Sequence, residues 1–105
     1  MKVKWTLQAK RQLRTTARYI RQEFGQRVRD EFIDDVMNAT SNIASSPNIG
    51  KTEPYLENRP IVFRSLVVRK YNKIVYFILD DHIEVAAFWD TRREPVSQAK
   101  EVDNN

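Results

Sequence analysis

The chain has 105 residues, of which 30% are charged and 41% hydrophobic, and this suits one globular domain. It contains no cysteine and one histidine, which excludes disulfides, thiolate metal sites and histidine-rich metal sites. We therefore expect no metal and no cofactor. No apolar run approaches the roughly 18 residues of a membrane span, and no signal-peptide pattern opens the chain, so we expect a cytoplasmic protein.

The net charge of +4 is moderate but unevenly distributed along the chain. Residues 1–31 hold nine Lys or Arg against three acids, whereas Lys51 is the only cation in residues 32–57. Such an excess favours an anionic partner, either nucleic acid or an acidic polypeptide.

The first half of the sequence predicts a short strand and two helices. Residues 1–5, MKVKW, alternate as in a strand, and Thr6 is a suitable helix N-cap. Apolar residues then recur at steps of three and four, which is typical of amphipathic helices, and Gly25 divides them into two. The two stripes are Ala9, Leu13, Ala17, Ile20 and Phe24, followed by Val28, Phe32, Val36, Ala39 and Ile43. The short break predicts an antiparallel helix hairpin.

The second half predicts a loop and three strands. Residues 47–60, PNIGKTEPYLENRP, are rich in proline and have the length of a functional loop. Segments 61–71, 73–79 and 83–89 are rich in Val, Ile, Phe and Tyr, with Asn72 and Asp80-Asp81 as turn signals. We predict one α+β domain over residues 1–95 and a polar tail over 96–105 that frays. Its elements are ordered β-α-α-β-β-β, with the helix hairpin on one face of a small antiparallel sheet.

Several stretches of the sequence resemble the RelE/ParE toxins of bacterial toxin–antitoxin pairs. They are VKWTLQAKRQL, YIRQEFGQRVRDEF, SSPNIGK and FRSLVVRKYNKIVYFILDDHIEVAAFWDTRREP. Together they extend from about residue 3 to residue 95. The resemblance implies a growth-arresting toxin of a type II, plasmid-stabilising system that forms a hetero-oligomer with a cognate antitoxin. That antitoxin folds across the toxin, and we expect it on apolar residues bordering the helix hairpin or as a strand added to a sheet edge.

The resemblance leaves the target open between two branches of the family. RelE-like toxins cut mRNA in the ribosomal A site, and ParE-like toxins poison DNA gyrase. The long hairpin, its opening Trp5-Thr6 and the position of Arg64 favour the ParE-like branch. A non-toxic relic or a binding module is the third interpretation.

The resemblance also implies candidate site residues. If the protein is a ribonuclease, its catalytic candidates are Lys73, Arg92 and Arg93, which match cations of RelE-like enzymes. The wider set for binding a target or a phosphate is Lys51, Tyr55, Arg64, Lys73, Arg92 and Arg93. Cations of this kind bind phosphate oxygens, and a loop tyrosine can stack on a base. The alternative is a solvated basic rim whose cations pair with Asp80, Asp81, Asp90 or Glu94, and Glu53 is expected to stay in water. If the arginines bind a phosphate or target, we expect Asp90 to be their local counter-charge.

Two observations modify this interpretation. RelE-like ribonucleases often carry a histidine or tyrosine near the C-terminus, whereas the only candidate here, His82, is expected at the opposite end of its strand. This departure counts against RNA cleavage.

The first helix also carries a basic flank, which we interpret either as a solvated face or as a contact with an acidic protein or nucleic acid. Its members are Lys10, Arg11, Arg14, Arg18 and Arg21.

Overall fold

A computed structural model describes residues 1–93 and 95–103 and confirms the predicted α+β fold. The elements in chain order are β1 (Lys2–Trp5), α1 (Leu7–Phe24), α2 (Gln26–Ser45), β2 (Lys51–Thr52), β3 (Arg64–Val68), β4 (Asn72–Ile78), β5 (His82–Asp90) and α3 (Pro95–Asp103). Short 3-10 turns occupy Pro47–Ile49 and Pro54–Leu56. Within the described part of the chain, no helix combines the length and the apolar character needed to cross a membrane.

The predicted helix hairpin is confirmed, and local chemistry sets both of its boundaries. The Thr6 hydroxyl oxygen accepts a 3.1 Å hydrogen bond from the Ala9 N–H, which caps α1. Gly25 separates the helices at φ 93°, a conformation that glycine adopts without a steric penalty. Its N–H donates to the Arg21 carbonyl at 2.9 Å and closes the last turn of α1.

The sheet has the strand order β1-β5-β4-β3-β2. The predicted antiparallel meander of β3, β4 and β5 is confirmed, and β2 pairs antiparallel with the start of β3. The predicted small antiparallel sheet is extended by β1, which pairs parallel with β5 and makes the five-stranded sheet mixed. Parallel strands need a long connection, and the helix hairpin between β1 and the remaining strands provides one.

The turn between β3 and β4 is centred two residues earlier than predicted. Residues 69–71 form it, and Arg69 takes the left-handed conformation with φ 56°. Asn72, predicted as the turn residue, instead begins β4, where its amide donates to the Trp89 carbonyl at 3.4 Å. The predicted turn at Asp80-Asp81 is correct.

Apolar cores lie on both faces of the sheet. The helix hairpin covers one face with Phe32, Val36 and Ile43, and the other face carries a second cluster around Trp89. Strand β5 contributes to both cores. Its side chains alternate between the two faces of the sheet except at Ala86. On β4, the neighbours Val75 and Tyr76 pair with Ala87 and Val85, so Ala86 is one extra residue in β5. This one-residue bulge places the neighbours Ala86 and Ala87 in the second core.

The second core is closed by α3, which corrects the predicted frayed tail for residues 96–103. Ala99 and Val102 are buried against this core, and the buried Gln98 side chain accepts a 3.1 Å hydrogen bond from the Asp90 N–H. Asp103 pairs with Arg59, whose hydrogen bonds hold the pKa of that carboxyl below its usual value. The sequence of α3 offers only three small or medium-sized apolar residues, Val96, Ala99 and Val102, which is too weak a pattern to predict a helix and explains the error. Glu94, Asn104 and Asn105 lie outside the described residues.

The Tyr76 hydroxyl group holds the loop after α2 against the sheet. It donates a 2.6 Å hydrogen bond to the Pro47 carbonyl and accepts one of 2.9 Å from the Gly50 N–H. Burial raises the pKa of the Tyr76 phenol, so the group remains a donor. A Cβ at Gly50 would lie 2.7 Å from the Tyr76 hydroxyl oxygen and 2.9 Å from the Ser65 carbonyl oxygen. Gly50, the glycine of the SSPNIGK stretch, therefore leaves the space that the Tyr76 hydroxyl group occupies, and a larger residue there would displace it.

Replacing Tyr76 by phenylalanine should destabilise the protein by about 1–3 kcal/mol, because the Pro47 carbonyl and Gly50 N–H lose a buried partner. Urea denaturation measures this cost. Tyr19→Phe is the matched control. Tyr19 is half exposed, and its hydroxyl should contribute less than about 0.5 kcal/mol. Equal losses in both variants would show that the Tyr76 hydroxyl does not hold the loop.

Candidate functional site

The predicted target-binding residues lie in three separate places rather than in one cluster. Lys51, Tyr55 and Lys73 are on or beside the sheet face opposite the helix hairpin. Arg64 shares a register position with Tyr76, which packs in the hairpin core. Arg92 and Arg93 follow the end of β5 and line a groove against α1.

Lys73 is already neutralised by an acid. Its ammonium nitrogen lies 2.9 Å and 2.7 Å from the two carboxylate oxygens of Glu53, whose side chain is fully buried. The same nitrogen lies 5.3 Å from the Trp89 ring centroid and 5.8 Å from that of Tyr55. The expectation that Glu53 stays in water is wrong, since this loop acid folds back onto β4. Lys73 therefore fastens the proline-rich loop and has little free charge to offer a substrate.

Arg64 and Lys51 differ in how far they are engaged. Arg64 donates a 2.9 Å hydrogen bond to the Gly50 carbonyl, so it supports the same loop as Tyr76. Lys51 is exposed at the sheet edge on β2 and makes no ion pair with a described residue. Of the predicted cations on the sheet, Lys51 is the one most open to an external anion.

Arg92 makes a bidentate ion pair with Asp90, one of the acids considered as its counter-charge. Its Nε and Nη2 atoms each lie 3.1 Å from one of the carboxylate oxygens, and its guanidinium is 4.5 Å from the Tyr71 ring centroid. These side-chain hydrogen bonds hold the pKa of Asp90 below its usual value although burial opposes the shift. Arg93 instead pairs with Glu101 of α3 at 2.8 Å.

Two joined grooves run along α1 beside these arginines. The first has a volume of about 530 Å³ and lies between α1, the end of β5 and α3. The second, of about 410 Å³, is more apolar and lies between the helix hairpin and the β3–β4 turn. They meet at Thr16, Tyr19 and Arg92. We call the second the apolar groove; its aromatic and aliphatic lining is Tyr19, Ile20, Phe24, Val28, Phe32 and Tyr71.

Sequence reasoning missed the polar residues that shape the first groove. Gln12 accepts a hydrogen bond from the Phe88 N–H at 2.8 Å and donates to Glu101 at 3.1 Å, so it links α1 to β5 and α3. Gln8, Gln12 and Thr16 all line this groove. These three residues are spaced four apart in the sequence, which places them on one side of the helix. This spacing could have identified them as a shared polar surface.

The structure separates the histidine from the arginines that the ribonuclease interpretation would bring together. A metal-independent ribonuclease site needs a base, an acid and cations that converge on one phosphate. His82 begins β5 and bonds to Asp81 at 2.7 Å, whereas Arg92 follows the other end of that strand, roughly 26 Å away along the backbone. Among the described residues, no cluster of three His, Cys, Asp or Glu side chains suited to a metal is found.

Replacing Lys73 by methionine should cost about 3–5 kcal/mol of folding free energy, because the buried Glu53 carboxylate loses the cation that pairs with it. Thermal or urea denaturation measures the loss. The double variant Glu53→Leu/Lys73→Met should recover most of it, since a buried apolar pair of similar volume replaces the ion pair. A double variant as unstable as Lys73→Met would rule out the ion pair as the cause.

Three comparisons with known proteins bear on this fold. A protein-family model described as the ParE toxin of the type II toxin–antitoxin system parDE matches residues 3–95. No curated protein matches the chain. Among solved structures, one titled "Chromosomal ParDE TA system from P. aeruginosa" is similar, with a TM-score of 0.72 at 16% identity over 88% of this chain and 97% of that one. The structural likeness shows a shared fold, whereas the family match spans most of the sequence. The chain therefore belongs to the ParE toxins of type II toxin–antitoxin systems.

Proposed function

We propose that this toxin arrests growth by binding and inhibiting DNA gyrase. Its family membership supports a toxin of a type II system. The ion pair between Lys73 and the buried Glu53 is the observation that favours gyrase over RNA as the target. It occupies Lys73, one of the cations that the ribonuclease interpretation needs for catalysis. A protein that acts by binding needs no convergent acid and base. In this proposal, Arg92 and Arg93 contact the target at the end of β5.

Ribosome-dependent mRNA cleavage remains the second candidate. Lys51 and Tyr55 supply the feature that favours it, because an exposed cation and a half-exposed aromatic ring border the same sheet face. They could hold a phosphate and a base. The candidate is weaker because Arg92 and Arg93 face α1 instead of this sheet face.

The antitoxin is the proposed partner, and we place its docking segment in the apolar groove. The groove exposes large apolar side chains, with Phe24 63% and Tyr19 51% exposed. Arg69, Lys70 and Arg92 line it as well and favour an occupant with acidic residues. An amphipathic helix that presents one apolar and one acidic side fits such a groove.

Induced expression of the chain should stop growth and produce gyrase–DNA breaks while bulk translation continues. Arg92→Ala/Arg93→Ala should raise survival at least about tenfold, since each lost contact of about 1.4 kcal/mol lowers binding tenfold. Arg27→Ala/Arg29→Ala removes the same charge from α2 and should leave toxicity intact. Translation that stops first, with cut messages, would replace the gyrase proposal with the ribonuclease. Folded protein without a growth defect would leave a relic or a binding module.

Phe24→Asp should weaken antitoxin binding by at least about tenfold, because it places a charge within the apolar groove. Co-purification and titration with the antitoxin measure the effect. Met37→Asp is the matched control, since Met37 is 55% exposed and does not line either groove. Equal loss in the two variants, or no loss in Phe24→Asp, would move the docking surface elsewhere.

A further inference from the structure

Helix α1 carries five exposed cations that make no ion pair with any described residue. They are Lys10, Arg11, Arg14, Arg18 and Arg21, here called the basic stripe. At 3.6 residues per turn they fall within about 100° of the helix circumference. The only acid of α1 is Glu23, which lies outside this sector. The stripe is thus a one-sign surface.

Seven cations elsewhere in the described part of the chain contrast with the basic stripe. Arg27 and Arg29 of α2 pair with neighbouring acids, and Arg59, Arg69, Lys73, Arg92 and Arg93 each pair with an acid from another segment or turn. Like charges three and four residues apart destabilise a helix. The stripe carries this cost without a compensating acid, so its charge is available to a partner.

The dimensions of the stripe match a phosphodiester backbone. Lys10 and Arg21 are eleven residues apart, which corresponds to about 17 Å along the helix. One strand of duplex DNA presents a phosphate about every 3.4 Å of its axis, so the stripe spans roughly five of them. Four of its five members are arginines, whose guanidinium forks bind phosphate oxygens with paired hydrogen bonds.

We propose that the basic stripe binds the phosphate backbone of nucleic acid independently of base sequence. An acidic protein is the less suitable partner, because protein interfaces place aromatic and apolar anchors beside their arginines, and the stripe offers almost none. Within the sector of the stripe, the apolar residue is Leu7 alone. Only Arg11 is shared with a groove, and the apolar groove contains no stripe residue. The toxin can therefore hold nucleic acid and antitoxin together.

Fluorescence anisotropy on the purified full chain tests the proposal with a labelled duplex DNA and a labelled single-stranded RNA of random sequence. Affinity should fall steeply with salt, with a log–log slope of about −0.9 for each duplex phosphate contacted. Arg14→Gln/Arg18→Gln/Arg21→Gln should make the slope less steep by up to about 2.7 and weaken binding at least about tenfold. The two probes distinguish DNA from RNA as the preferred ligand.

The matched control removes three charges elsewhere, in Lys2→Gln/Arg27→Gln/Arg29→Gln, and should bind within about twofold of the unmodified chain. Equal weakening in the two triple variants would overturn the proposal, as would absence of salt-dependent binding to both probes. Polyglutamate competing as well as DNA at equal charge would favour an acidic protein instead. Circular dichroism confirms that the variants fold. Binding without gyrase inhibition would refute the proposed target and leave this inference standing.

Discussion

The burial of strand β5 on both faces is the constraint on which this structure depends. It lies between β1 and β4 and has apolar contacts with the helix hairpin on one side and with α3 and the proline-rich loop on the other. A strand covered in this way has to be apolar at almost every position. The buried middle of β5, residues 85–89, is therefore wholly apolar, and the polar Asp90, Arg92 and Arg93 come at its end, where β5 meets α1 and α3.

The parts of the fold that could be predicted are those with a local signal. The stripes of α1 and α2 repeat at helical spacing, and Gly25 interrupts them, so the hairpin follows from residues within one or two turns. The parallel pairing of Val3 with Ile83 joins residues at opposite ends of the chain, and no local pattern encodes it. Helix α3 was missed because its apolar residues are few and small or medium-sized, with Ala99 and Val102 the buried ones among those described.

The candidate site was predictable as a set of residue types but not as an arrangement. The sequence names candidate cations, but whether two of them share a face depends on strand register. Lys73 and Arg64 belong to neighbouring paired strands and still lie on opposite faces. The partner of Lys73 is Glu53, twenty residues earlier and in an irregular loop. A pairing between residues so far apart in sequence cannot be predicted from a local pattern. It nevertheless decides which cations are structural, such as Lys73, and which remain unpaired, such as those of the basic stripe.

The bulge in β5 also affects how the gene can change in length. Ala86 and Ala87 point to the same face of the sheet, although neighbouring residues of a strand normally point to opposite faces. Deleting either codon therefore removes the bulge and leaves Val85, Phe88 and Trp89 on their present faces. A codon deletion elsewhere within β5 shifts every following side chain to the opposite face. It would then exchange Phe88 and Trp89 between the two cores. Natural length variation among close homologues should therefore be tolerated at this alanine pair and absent from the rest of the strand.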